Sequence, residues 1–205
     1  MINRVLTNKD RIKYKPIIDD MLVKVPDMMA RKIPESYVQQ AFAIDFIQRK
    51  YKTGNTILCV GCYEDTSYEY LKLKGMNIIG IDPLINYDLK GFLKTTNDKY
   101  DFIMSVSVME HVSNDSEFIK DICHTLKVGG TAVLTVDFND QWKAGKPKPS
   151  IDYRLYTTAD YKRLASVMAN ENCFLVDEIS GNVDPDFTFE GSKYSFATMV
   201  FKKFE

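Results

Sequence analysis

Between Asn55 and Lys202 the apolar positions switch repeatedly between short β-branched runs and runs at helical spacing. Thr56 to Val60 reads as a strand; Gly61 follows in a turn, and a helix from about Thr66 to Lys74 is stopped by Gly75. Asn77 to Ile81 is a second strand, ended by Asp82 and Pro83. Tyr100 to Val108 is a third, followed by Glu110, His111 and a helix near Asp115 to Lys127 whose Phe118, Ile119, Ile122 and Leu126 share one face. Gly129 and Gly130 end that helix in this reading, and Thr131 to Asp137 forms the next strand. Thr158 to Ala169 is a helix with Tyr161, Leu164, Ala165 and Met168 in register; Cys173 to Ile179 and Tyr194 to Lys202 are the last strands. Such alternation predicts an α/β fold with a mostly parallel sheet, closed by an antiparallel pair, with ligands at the carboxyl ends of the strands.

The first part of the chain reads differently. Pro16, Pro26 and Pro34 interrupt the first 35 residues, which predicts short helices or turns that do not enter the sheet. Ser36 is placed to cap a helix running to about Lys50, with Val38, Ala41, Phe42, Asp45 and Phe46 on one face. The expected organisation is one domain over residues 1–205, with a helical N-terminal appendage over 1–50 and an α/β core over 51–205.

Composition narrows the partners. Lys and Arg number 27 against 28 Asp and Glu, a net charge of −1, so no global field draws in nucleic acid or an anionic membrane. No run of about 18 uncharged apolar residues is present, and MINRVLTNKDR lacks the apolar run of a signal peptide, so a cytoplasmic location is expected. Self-association is left open. The pair Cys59 and Cys62 has the CxxC spacing, but Cys59 falls inside a strand-like run and no second pair accompanies it, so neither a zinc site nor a redox motif is expected.

The chemistry gathers at two strand ends. In ILCVGCYEDTSYEYL a glycine directly after a strand permits a tight turn and close backbone approach, and the following helix start offers unpaired N–H groups. Asp82, 21 positions after Gly61, ends the next strand where a carboxylate accepts hydrogen bonds from the two hydroxyls of a ribose. Only Gly61 is present where a nicotinamide-dependent oxidoreductase needs GxGxxG.

Five segments in order, ILCVGCYEDT, IIGIDP, YDFIMSVSVMEHV, LKVGGTAVLTV and RLYTTADYKRL, resemble the class I S-adenosylmethionine (SAM)-dependent methyltransferases over about residues 55–202. The resemblance implies a Rossmann-like sheet of seven strands, mostly parallel with the last antiparallel, helices on both faces, and SAM as cofactor. It implies that Gly61 and the backbone of Cys62 and Tyr63 cradle the methionine portion, with Glu64, Asp65 and Thr66 completing the turn. Asp82, followed by Pro83, holds the ribose; Asp88 lies near the adenine; and Ser105, Val106, Ser107 and Glu110 border the cofactor. The chain departs from the family in having Cys59 where an acidic residue is usual, and Tyr63 and Asp65 where further glycines are usual. Only 19 positions separate Asp82 from Asp101, which leaves little room for the third helix and strand.

For the acceptor, His111 by resemblance faces the site and suits a base working near neutral pH. Asp137 ends a strand beside Asn139 and Trp142, a polar and aromatic cluster fit for a hydroxylated acceptor, and Arg154 and Tyr156 are placed to bind an anionic group on it. Asp184, Asp186, Phe187 and Phe189, in the segment Gly181 to Gly191, complete the expected wall. The loop VGCYEDT and the segment FNDQWKAGKPKPSIDYRLYT resemble bacterial or phage methyltransferases of surface polysaccharides. The expected function is O-methylation of a sugar-like or nucleotide-sugar-like small molecule. The alternative is a methyltransferase fold that has lost catalysis, because the missing glycines weaken the cofactor loop. A nucleic-acid methyltransferase would carry a basic face and an Asn/Asp-Pro-Pro-Tyr motif, and neither is present.

Overall fold

The computed structural model describes residues 1–180 and 183–205. Its elements are β1 (Val5–Leu6), α1 (Asn8–Lys24), α2 (Pro26–Met29), α3 (Tyr37–Lys50), β2 (Ile57–Val60), α4 (Thr66–Leu73), β3 (Ile78–Ile81), α5 (Leu89–Phe92), β4 (Tyr100–Val106), α6 (Asp115–Thr125), β5 (Leu126–Phe138), α7 (Thr158–Ala169), β6 (Cys173–Leu175), β7 (Phe187–Phe189) and β8 (Ser192–Lys203). The sheet order is β1-β8-β5-β4-β2-β3, with β6 and β7 also on β8. The four strands β3, β2, β4 and β5 are parallel, and β8 returns antiparallel to β5.

Alternation along the parallel strands sorts side chains into two layers. Leu58, Val60, Ile103, Leu134 and Val136 pack under α6 and α7; Ile57, Cys59, Phe102, Met104 and Val133 pack under α1 to α4. The helices before residue 50 therefore form one of the two covering layers: Val38, Ala41, Ile44 and Ile47 of α3 are fully buried on the sheet. In α3, Asp45 on the expected apolar face is partly buried and pairs with exposed Arg49 at 2.7 Å. Ser36 does not cap α3 with its side chain; its hydroxyl donates to the Ile33 carbonyl.

Three expectations change. The N-terminal segment does enter the sheet, because β8 offers a free edge: Val5 pairs with Ala197, and fully buried Asn3 donates to the Val200 carbonyl while accepting from the Val200 N–H. Helix α1 runs through Pro16, since Tyr14 and Met21 on either side of it are anchored in the core, which offsets the lost backbone bond. Strand β5 starts at Leu126, not after the glycine pair, because a register shift opposite Tyr100 lets Leu126 pair with that residue.

The short span after Asp82 holds only the single turn α5, and β3 is left at the sheet edge. The seven strands implied by the family are thus replaced, among the described residues, by eight. The third is missing, and β1, β6 and β7 share the outer edge of β8.

One ion cluster locks the loop after β5 onto the α6 layer. Asp115, at the N-terminus of α6, accepts from Arg154 at 2.6 Å, from Arg163 at 2.7 Å and from the Tyr156 hydroxyl at 3.2 Å. Asp115 is buried, and deleting it leaves Arg154 without its carboxylate while Arg163 keeps Asp160. Asp115→Ala is expected to destabilise the protein by about 3 kcal/mol in urea unfolding; a loss below about 1 kcal/mol would show the cluster to be ornamental to stability.

Candidate active site

Strands β2, β3 and β4 end together at a cleft of about 670 Å3. Gly61 makes the first turn with φ 86°, and a Cβ there would stand 2.3 Å from the Val108 side chain, so only glycine allows the strand end and the loop after β4 to meet. The Asp82 carboxylate, at the end of β3, accepts from the Tyr63 N–H at 3.3 Å and the Leu84 N–H at 2.9 Å. This couples the two loops on which the cleft is built. Val106, Ser107, Tyr63, Glu64, Asp65, Pro83 and Asp88 also line it. Asp88 in addition caps α5 through the Gly91 N–H.

Asp65 does more than line the cleft. Buried at the N-terminus of α4, its carboxylate accepts from the Tyr68 N–H at 2.9 Å and from the Ser67 hydroxyl, and it meets the Cys59 thiol at 3.7 Å. The family's acid at the position of Cys59 is thus answered by a carboxylate six residues later, beside the same strand position. Burial raises the Asp65 carboxyl above the usual carboxylate range, against its hydrogen bonds. Cys62 tucks against Gly80 behind the loop, where burial pushes its thiol up to about 11, the reverse of an activated cysteine.

Helix α3 supports both strand ends from below. The Gln40 side-chain carbonyl accepts from the Ser67 N–H at 2.9 Å, completing the start of α4, and the Gln39 amide meets the Ser107 hydroxyl at 2.9 Å. Ser107 has a positive φ of 54°, a costly conformation for a residue with a side chain that this contact helps to hold.

Next to the cleft is a second cavity of about 280 Å3, and Lys32, Ser107, His111 and Ile151 line both. His111 sits on their shared wall with Nδ1 3.0 Å from the Asp152 carboxylate. The Tyr153 N–H donates to the Glu110 carbonyl at 2.8 Å, fastening this loop across the turn after β4. Burial disfavours the imidazolium, but the Asp152 hydrogen bond and the charges of Glu110 and Asp152 outweigh it, so His111 holds its proton above the usual imidazole range. Glu110 and Asp137 face the second cavity, not the cofactor cleft. Burial raises both carboxyls, Asp137 well above the usual range with Glu110 and Asp152 as like charges beside it.

The remaining expected site residues lie elsewhere. Cys62, Thr66 and Ser105 line neither cavity; the Ser105 hydroxyl is spent on the Val60 carbonyl. Arg154 and Tyr156, expected on the acceptor, line neither cavity: both bond to Asp115, and Tyr156 is fully buried. Asn139 and Trp142 shape their own loop, the amide donating to the Lys193 carbonyl and the indole to the carbonyls of Lys146 and Pro147. Gly181 lies outside the described residues; of the segment it opens, Phe189 lines the second cavity, whereas Asp186 pairs with Arg11. Lys32, Gln39, Gln40 and Asp152 are the site residues that no motif announced.

The methyltransferase domain family matches residues 34–176. Solved structures with the same architecture include magnesium protoporphyrin IX methyltransferase of Synechocystis PCC 6803 with bound SAH (TM-score 0.56, 13% identity, 92% of this chain and 99% of that one). Another is the 1,6-didemethyltoxoflavin-N1-methyltransferase of Burkholderia thailandensis with bound S-adenosylhomocysteine (TM-score 0.59, 11% identity, 98% and 92%). The chain belongs to the methyltransferase domain family and has the Rossmann-like fold of its class I members. Among curated proteins it is similar to the ubiquinone biosynthesis O-methyltransferase of Rickettsia prowazekii, 28% identical over 120 residues, a match spanning 49% of this chain and about half, 48%, of that relative.

The cleft fits SAM. Leu84, Leu89, Val108 and Phe118 supply apolar walls for an adenine, Asp82 a carboxylate at the strand end, and Lys32, Glu64 and Asp65 charges of both signs for an amino-acid end. Gly61→Ala is expected to destabilise the protein by about 2 kcal/mol. Adding Val108→Ala should restore at least about 0.5 kcal/mol of that. Strict additivity in chemical denaturation would show that the two residues do not limit each other.

Proposed function

We propose that the protein transfers a methyl group from SAM to a hydroxyl of a small, sugar-like acceptor seated in the second cavity. The observation that carries this reading is His111, standing on the wall between the two cavities and paired with buried Asp152. SAM, when bound, supplies an electrophilic methyl group on a sulfonium centre. Asp82 would hold the ribose hydroxyls, Lys32 the carboxylate, and the Gly61 turn the methionine portion. Nδ1 of His111 pairs with Asp152 at 3.0 Å, which assigns the other ring nitrogen to take the proton from an acceptor hydroxyl as it attacks. Positioning across the shared wall supplies much of the remaining rate, since transfer needs an in-line approach. Oxygen as the nucleophile is supported by the similar protein that is named an O-methyltransferase. A sugar-like acceptor is supported by the polar lining of the second cavity, which includes Ser36, Gln39, Glu110, Asp137 and Asp152.

Asp82→Ala should weaken S-adenosylhomocysteine binding at least about tenfold, or 1.4 kcal/mol, by calorimetry; unchanged affinity would remove Asp82 from the site. His111→Ala should abolish turnover while leaving that affinity intact. The base must be unprotonated to act, so the rising limb of kcat/KM should lie above the ordinary imidazole value of about 6.5, and Asp152→Asn should move it to lower pH. A limb that stays in place would separate His111 from the proton transfer.

A further inference from the structure

Three carboxylates converge on the second cavity with more acceptor capacity than the protein uses. Glu110, Asp137 and Asp152 are 1%, 6% and 4% exposed, and all three line it. Both oxygens of Glu110, Oδ1 of Asp137 and Oδ2 of Asp152 have no hydrogen-bond partner among the described residues. Native proteins rarely leave buried carboxylate oxygens unpaired, because each then bears its desolvation cost without return. Among the described residues neither Arg31 nor Lys32, the cavity's cationic side chains besides His111, forms an ion pair with them, and the charge of Lys32 is felt by Asp65 at the cofactor side. His111 is committed to the other oxygen of Asp152, and one imidazole faces three carboxyls.

A neutral hydroxyl donates one hydrogen bond and leaves the repulsion between the carboxylates in place. A primary ammonium offers three N–H donors and a positive charge to the same four oxygens. We infer that the acceptor carries a protonated primary amine beside the hydroxyl that is methylated, as an amino sugar or amino alcohol does, and that Glu110, Asp137 and Asp152 bind it. This rests on the acceptor occupying the second cavity, as proposed above. Without ligand, the raised affinity of Glu110 and Asp137 for protons relieves the crowding; the ammonium replaces such a proton. The Tyr194 phenol stands beside Asp137 and brings one neutral hydroxyl to the cluster, which leaves the charge of the carboxylates uncompensated; Arg31, Lys32 and Glu190 are the other titratable groups around the cavity.

The test is calorimetric titration of the protein loaded with S-adenosylhomocysteine, near neutral pH, with glucosamine, with glucose as its neutral twin, and with ethanolamine as a smaller amine. Glucosamine is expected to bind at least about tenfold more tightly than glucose, with proton release read as a dependence of the heat on the buffer used. Asp137→Asn and Glu110→Gln, both close in shape to the originals, should each remove most of the preference while S-adenosylhomocysteine affinity stays unchanged. If one variant fails to fold, the other carries the comparison. Glucose binding as tightly as glucosamine, a preference that survives both substitutions, or no saturable binding of either amine would overturn the inference. The titration reads binding alone, so the two readings fail separately: methylation of neutral sugars without an amine preference would uphold the proposed reaction and reject the ammonium site, tight carboxylate-dependent amine binding without methyl transfer would do the reverse, and delivery of the methyl group to the amine nitrogen would overturn both.

Discussion

The 3.0 Å contact between His111 and Asp152 joins two parts of the chain that are far from each other in topology: the turn after β4 and the loop that precedes α7. Together with the bond from the Tyr153 N–H to the Glu110 carbonyl, it lays that loop across the strand ends and makes the wall between the two cavities. Without it the imidazole and the buried Asp152 carboxylate would lose their fixed pairing at that wall. The cost is a concentration of negative charge in a buried pocket, offset in part by His111 and marked by the raised carboxyls of Glu110 and Asp137.

The rest of the molecule holds that junction in place. Parallel β2, β3 and β4 bring Gly61, Asp82 and Ser107 to one edge, as open α/β sheets do where the strand order reverses. Helix α3 then braces the edge with two buried glutamines, one on Ser107 and one on the start of α4. The Asp115 cluster fixes the far end of the loop that carries Asp152. Deletion of the family's third strand leaves β3 at the sheet edge and the Asp82 side of the cleft walled by short turns, including Leu84, Tyr87 and Asp88.

Local signals were sufficient where the chemistry is local. Gly61 and Asp82 are readable because a tight turn and a strand-end carboxylate constrain residue type at known spacing, and the missing third strand is readable from the 19 positions between Asp82 and Asp101. What escaped depends on partners distant in sequence. Arg154 and Tyr156 look like free ligands until Asp115, some 40 residues earlier, is brought against them at 2.6 and 3.2 Å. Asp152 looks like a loop residue until it meets His111, and Gln39 and Gln40 resemble the polar side of an amphipathic helix until the sheet buries them. The proline at position 16 and the two-residue β1 were misread for the same reason: packing against α3 and the open edge of β8 overrides local propensity.

SAM binding in the cleft at the ends of β2, β3 and β4 relies on a loop whose one glycine is Gly61. Calorimetric titration of the purified protein with S-adenosylhomocysteine, using NAD as the control ligand, tests this most directly. Saturable binding of S-adenosylhomocysteine at one site in the micromolar range, with none of NAD, is the expected result; failure to bind S-adenosylhomocysteine would contradict the account and favour a methyltransferase fold that has lost its cofactor.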